Sequence, residues 1–462
     1  MKRTFRPFEP NQMFLIPPAL QDWLPKNHLA YFVSELVDEL DLSSILLKYG
    51  DEVRGNQPYH PAMLTQILIY AYCVGVPSSR KIAKRCEEDV AFRILAANNF
   101  PDFRTISDFR KRHLKALKGL FVEVLRLCRK AGLVKLGHVA LDGTKVKANA
   151  SRHKAMSYGR MVVKEKDLEA EVEALLRQAE EMDEEEDRLY GKDRRGDELP
   201  KELAFREARL KKIREAKKAL EEEAQEAARS KAKAQERPVF GQPLKPQADP
   251  VEPMVSDKAQ RNFTDPESRI MMSGSTKSFE QAYNCQAAVD STAQVIVACE
   301  VTQEPNDKQQ LERMFKHVHE NVGRYPKQAS ADAGYWSEEK IRRLSSGRTE
   351  WLVPPNRVKH GEYRQPCKRG RIAAEASWAE RMSRKLRTKR GRAAYSKRKE
   401  TVEPVFGQIK QGRGFRQFLM RGKEKVSGEW SLICMTHNIL KLWKHSSEAA
   451  DKGKKVGRIS WN

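Results

Sequence analysis

The sequence predicts an α/β protein: a mixed sheet flanked by helices, preceded by an all-α N-terminal domain and interrupted by an inserted helical hairpin of coiled-coil type. Three observations predict it. Residues 1–132 carry helical patterns without strand alternation. Beyond residue 137, short β-rich runs alternate with amphipathic helical runs. Between residues 161 and 235 the strand pattern stops, two long seams of apolar residues replace it, and strands resume afterwards.

In the front part, Pro10, Pro17, Pro18 and Pro25 mark residues 1–27 as an irregular arm. Phe32, Leu36, Leu40 and Ile45 space out a helix over Leu29–Leu47. Pro61, at a first helical position, opens an almost wholly apolar and therefore buried helix over Ala62–Val74. After Pro77-Ser78, Ser79 is expected to cap a basic helix with Arg80, Lys81, Lys84 and Arg85. Thr105 to Asp108 reads as a capping-box-like start of one long helix ending near Gly132. The pattern fits a helix–turn–helix-like DNA-binding domain and a structural bundle equally well.

In the insertion, Met161, Leu168, Val172, Leu175, Ala179 and Met182 form one seam. Leu203, Leu210, Ile213, Leu220, Ala224 and Ala227 form the other, broken by Lys217, with Asp193 to Asp197 as the turn and Pro200 just after. Five prolines from Pro238 to Pro253 mark a linker. Strands are then expected at Ala282–Val289 and Ala293–Val301 about an Asp290-Ser291-Thr292 turn, at Gln328–Ala333, and at Trp351–Val353. Helices should run from about Asp307 to Val322 and from Ser337. Without the insertion, that is the order of an RNase H-like mixed sheet. The expected division is a helical domain 1–132, a core split into 133–160 and 266–445 around a hairpin 161–235 and a linker 236–265, and a tail 446–462.

The chemistry centres on Gly137 to Ser151, a buried strand with Asp142 in its middle. A bare carboxylate there is costly unless a metal ion or hydrogen-bond donor faces it. Asp332, in Ser330-Ala331-Asp332-Ala333-Gly334-Tyr335, ends a strand that an RNase H-like sheet sets beside the first. Its bland role is a helix N-cap. Two-metal phosphoryl transfer needs further carboxylates at the same spot. In the helix around Val402, Val405, Phe406 and Ile409, both Glu400 and Glu403 fall on the polar face. Glu403 is favoured because Lys410 lies two turns along the same face and because Pro404 is expected to start or kink the helix there. Either glutamate equally suits a solvated face.

The 462-residue chain has a net charge of +24 and a pI of about 9.6, which makes a polyanion the expected partner or else marks a solvated basic protein. Cys73, Cys86, Cys128, Cys285, Cys299, Cys367 and Cys434 form no C-x-x-C pair, which argues against zinc or a disulfide framework and suits a reducing compartment. No signal peptide or membrane-spanning run is read, so a cytoplasmic, nucleoid-associated protein is expected. From Arg381 to Lys425, basic residues far outnumber acids, with Tyr395, Phe415 and Phe418 interleaved to stack on bases and Gly412, Gly414 and Gly422 to let backbone approach DNA.

Three blocks resemble the DDE transposases of bacterial insertion sequences: Leu141-Asp142-Gly143-Thr144-Lys145 with Ala148-Asn149-Ala150-Ser151; Ala331-Asp332-Ala333-Gly334-Tyr335; and Val402-Glu403-Pro404-Val405-Phe406-Gly407 ending at Lys410. Tyr59-His60-Pro61 and Val76 to Arg80 are similar to that family's N-terminal domain. A related signature sets Tyr, Arg, Glu and Lys at fixed gaps. Tyr395, Arg398, Glu403 and Lys410 match it except that the gap from Arg398 to Glu403 is one residue longer. The resemblance implies catalytic, metal-holding Asp142, Asp332 and Glu403, with two Mg2+ ions that Mn2+ replaces. It also implies double-stranded DNA (transposon ends and target) as partner, a homodimer in the DNA complex, and Lys145, Tyr395, Arg398, Lys410, Arg413 and Arg416 on the DNA. A catalytically inactive DNA-binding derivative and an RNase H-like nuclease are the alternatives.

Overall fold

The computed structural model describes residues 19–49, 57–151, 154–190, 201–235, 255–272, 278–357 and 370–451. The front is helical: α1 (Leu29–Glu39), α2 (Ser43–Leu46), α3 (Pro61–Cys73), α4 (Ser79–Glu88), α5 (Val90–Leu95), α6 (Phe103–Arg112) and α7 (Leu114–Lys130). Pro61 stands in the first turn of α3 and the His60 ring accepts the Ala62 N–H, so the helix starts where the proline predicts. Nearly every α3 residue is buried, which is why its sequence is apolar all round.

Four boundaries differ from the sequence pattern, each where a side chain finds a partner the pattern does not show. The helix expected over Leu29–Leu47 is two, because Asp41 accepts the Ser43 N–H at 2.9 Å and starts α2 afresh. Ser79 is not the cap of α4 but its first residue, and its hydroxyl instead accepts from Arg110 at 3.3 Å. The long helix expected from Thr105 starts earlier, with Asp102 capping the Arg104 N–H at 2.8 Å. It breaks at His113, whose buried ring stacks on Tyr49 at 5.5 Å.

The chain then enters the sheet through β1 (His138–Lys147). There follow β2 (Ala155–Ser157), the long helices α8 (Tyr158–Tyr190) and α9 (Lys201–Gln235), β3 (Gln260–Asn262) and β4 (Arg269–Met272). Next come β5 (Phe279–Asp290), β6 (Val295–Thr302), α10 (Gln310–Val322), β7 (Gln328–Ser330), α11 (Glu338–Leu344) and β8 (Glu350–Leu352). The last elements are α12 (Trp378–Arg387), α13 (Lys389–Gly407) and α14 (Lys423–Asp451). β1 is central: β5 lies antiparallel on one side and β7 parallel on the other. β8 continues the sheet parallel to β7, and β5 also carries β4 and β6.

α8 and α9 lie antiparallel. Met161 and Leu168 meet Leu210, Ile213, Ala216 and Leu220 along a small core of their own. Lys217, which interrupts the apolar seam, is paired with Glu165 at 2.9 Å, and Arg214 joins the same carboxylate at 3.2 Å. The turn expected at Asp193–Asp197, Pro200, and residues 236–254 of the expected linker lie outside the described residues. The rest of that stretch is folded: β3 pairs with β2, and buried Asn262 donates to the Ser151 carbonyl at 2.7 Å.

α14 is the hub of the main core. Trp430, Leu432, Ile433, Met435 and Ile439 are buried, and the helix packs on α3, α7 and β6. One apolar cluster therefore runs from Leu29 in the front helices through the sheet to Leu442. Asn438 fastens α14 to the sheet, accepting the Ile296 N–H and donating to the Ile296 carbonyl, both at 2.8 Å. That leaves neither group of β6 unpaired at a buried point.

At the other end, α12 and α13 meet so closely that a Cβ on Gly391 would stand 2.0 Å from the Lys385 carbonyl oxygen. Alanine in a helix is ordinarily worth up to about 1 kcal/mol over glycine. Here Gly391→Ala is expected to lower stability by about 1–3 kcal/mol through the clash. Chemical denaturation gives the sign directly, and a rise would show that the helices do not touch there.

Candidate active site

β1 and β7 pair in parallel, Val139 opposite Ala329 and Ala140 opposite Ser330. Asp142 and Asp332 each stand two residues beyond that last pair, so the two carboxylates emerge side by side at the same end of the sheet. Asp332 also caps the short helical turn Ala333–Tyr335, accepting the Gly334 N–H at 2.8 Å. The bland role is thus real, and it orients the carboxylate. The β7 ladder stops at Ser330, short of the Ala333 expected for the strand, because this cap takes over.

α13 crosses β1 and brings Arg398, whose guanidinium is almost wholly buried. It donates to the Asp142 carboxylate at 2.9 Å and lies 3.8 Å from Glu403. Burial pushes the Asp142 carboxyl up to about 6 against the pull of Arg398, and Asp332 adds to the rise. Burial likewise raises Asp332. The costly carboxylate in mid-strand is therefore met by a cation. Among the described residues, no group of three or more histidines, cysteines or acids stands close enough to hold a metal ion. Asp142 and Glu403 are joined through Arg398 rather than directly.

Glu403 sits in the interior of α13, not at its start: the helix runs through Pro404 to Gly407. The expected break is absent because the carbonyl that Pro404 cannot bond, that of Glu400, accepts from the Gln294 side chain at 2.9 Å. After Gly407 the helix widens into a π turn, Gln408–Gly412. There Lys410 donates to the Lys145 carbonyl at 2.6 Å. Burial lowers the pKa of both lysines, and Lys145 itself donates to the Pro305 carbonyl at 2.8 Å. Arg398 lies over the Tyr395 ring at 5.9 Å.

Other expected DNA contacts are placed differently. Arg413 donates to the carbonyls of Tyr72 and Ile433 and to the Thr436 hydroxyl at 2.8 Å, tying α3 to α14. Burial pulls its pKa down to about 10. Phe415 and Phe418 are core rings, Phe415 stacked on Tyr72 at 5.5 Å and Phe418 edge-on to Tyr283 at 6.2 Å, so neither offers a face to a base. Gly414 and Gly422 hold φ of 77° and 85°, a backbone demand independent of DNA. Arg416 is exposed and bonded to Gln411.

One further acid comes to this end of the sheet. Asp307 accepts from Asn284 at 2.8 Å and Gln286 at 2.7 Å. It reaches the face of β1 opposite Asp142 because Gly143 has no side chain: a Cβ there would lie 2.8 Å from the Asp307 carboxylate. In the sequence it reads only as a helix start, since the signal is the pairing of Gly143 with Gln286 across β1 and β5.

Two family models match the chain. Residues 18–112 match a transposase domain (DUF772), and residues 361–443 match a transposase DDE domain. The chain thus carries one stretch similar to a transposase domain and another similar to a transposase DDE domain. The second match spans Arg398, Glu403 and Lys410, while Asp142 and Asp332 lie outside both. Among curated proteins and among solved structures, none matches the chain. The two domains support a transposase function and an enzyme acting on DNA. No helix among the described residues is long and apolar enough to cross a membrane.

Because its guanidinium bonds are internal, Arg413→Ala should act through stability. A loss of about 2 kcal/mol or more is expected in denaturant. A variant of native stability but weakened DNA binding would instead place Arg413 on the nucleic acid.

Proposed function

We propose that the protein binds the ends of its insertion sequence and carries out metal-dependent strand cleavage and strand transfer, with Asp142, Asp332 and Glu403 as the catalytic carboxylates. The observation that carries this reading is the convergence of β1, β7 and α13, which sets Asp142 beside Asp332 and links Asp142 to Glu403 through one guanidinium. The strand order, with β5 antiparallel and β7 and β8 parallel to the central β1, supports an RNase H-like core. The bond between α8 and α9 supports a hairpin of coiled-coil type inserted into that core. The front helices, matched as a transposase domain, are the proposed DNA-end reader.

The donor set fits Mg2+ or Mn2+: hard carboxylate oxygens, two of which, on Asp142 and Asp332, are raised in pKa by burial and in need of positive charge. Arg398 already brings one positive charge to Asp142. When bound, the ions supply an activated nucleophile and stabilise the leaving oxygen. Asp142, Asp332 and Glu403 would hold the ions, and Arg398 would be able to pair with a DNA phosphate in place of Asp142. Lys145, Lys410, Tyr395 and exposed Arg416 lie around the same end of β1 as the proposed phosphate contacts. A homodimer on paired ends and action in the nucleoid complete the proposal.

Asp142→Ala, Asp332→Ala and Glu403→Gln should each reduce cleavage of end DNA by about 100-fold or more while leaving binding within a few fold. Glu400→Gln should be close to silent. Single-turnover cleavage with a parallel mobility-shift titration reads both, and an inactive Glu400→Gln beside an active Glu403→Gln reverses the assignment.

A further inference from the structure

A proline in a helix interior leaves one carbonyl without its N–H. The residue before it is also pushed away from helical geometry. In α13 that residue is Glu403, and the carbonyl left open is that of Glu400. The gap is filled from another element. Gln294, in the turn between β5 and β6, donates its side-chain N–H to the Glu400 carbonyl at 2.9 Å. Gln294 adopts φ of 58°, uncommon for a residue other than glycine, asparagine or aspartate.

The clip is itself held at both of its free ends by α14. Lys441 donates to the Gln294 side-chain oxygen at 2.8 Å, which fixes which end of the amide faces Glu400. His437 bonds the Gln294 carbonyl at 2.9 Å, and burial keeps that imidazole neutral, so its Nε2–H is the donor. A residue in a strained conformation whose side-chain oxygen and backbone carbonyl are both held by α14 is over-determined by its surroundings.

We propose that Gln294 is a positioning residue for Glu403: by supplying the hydrogen bond that Pro404 withholds, it fixes the turn from Glu400 to Pro404 and with it the bearing of the Glu403 carboxylate toward Asp142. The proposal rests on Glu403 being the third catalytic carboxylate. Geometry errors of an ångström at a reacting centre cost up to about 100-fold in rate. A clip lost from beneath Glu403 therefore acts on the chemical step and not on DNA affinity.

The test is a double-mutant cycle between Gln294→Met, which keeps length but has no donor, and Pro404→Ala, which restores an N–H to the Glu400 carbonyl. In the wild-type background Gln294→Met should lower single-turnover cleavage of bound end DNA about ten-fold or more, with the Kd for end DNA unchanged, and lower the Tm. In the Pro404→Ala background the same change should leave both rate and Tm where Pro404→Ala alone sets them. Equal losses in both backgrounds, or an unchanged rate in the first, overturn the proposal. If Gln294→Met does not fold, Lys441→Met loosens the clip at its anchor and enters the same cycle. Should the wild-type protein cleave no end DNA, the proposed function fails, and with it the role toward Glu403. The Tm cycle still decides whether Gln294 replaces the proline N–H.

Discussion

A carboxylate in the middle of a central strand must be neutralised, and the charge pair between Asp142 and Arg398 is how this fold does it. The pair is 2.9 Å long, and both side chains are largely shielded from water. Removing a charge from water is repaid only with close geometry and further hydrogen bonds. Asp142 has those in the Gly143 N–H at 2.8 Å as well as in Arg398. The requirement propagates outward. α13 must cross β1 at one height, so α12 has to meet α13 without a side chain at Gly391. The helix must also continue past Pro404 without swinging Arg398 away.

The second constraint is α14. It is the shared wall of the front helices and the sheet, and its polar residues are spent on fastening neighbours. Asn438 completes β6, and His437 and Lys441 hold the β5–β6 turn. Thr436 receives Arg413. A single helix thereby links the proposed DNA-reading helices to the turn beneath the candidate catalytic glutamate. The front helices, the sheet and α14 thus share one continuous apolar core.

Arg398 stands between Asp142 and Glu403 and brings positive charge to both carboxylates. Burial raises both carboxyls of Asp142 and Asp332, and acidic neighbours add to the rise, Asp332 at Asp142 and Asp307 at Asp332. An arginine that pairs equally well with phosphate is suited to exchange one anion for another.

Much of this was legible in the sequence. The β-rich run with a charge at its centre, the glycine and small residues around Asp332, and the polar face bearing Glu400 and Glu403 follow from strand and helix periodicity, which local sequence sets. So did the apolar helix after Pro61 and the seams of α8 and α9, since a face that must be buried has to be apolar wherever it is buried. What the sequence left open is what depends on partners distant in the chain. Whether Pro404 starts or merely crosses a helix was decided by Gln294, more than a hundred residues away and unremarkable in its own stretch. Phe415, Phe418 and Arg413 read as a nucleic-acid face because aromatic and basic residues look the same whether they meet a base or a core. Only packing against Tyr72, Tyr283 and α14 turned them inward. Arg398 sits in a run of cations that differ little in sequence, and the buried carboxylate it neutralises lies on a strand that only the tertiary fold brings within reach.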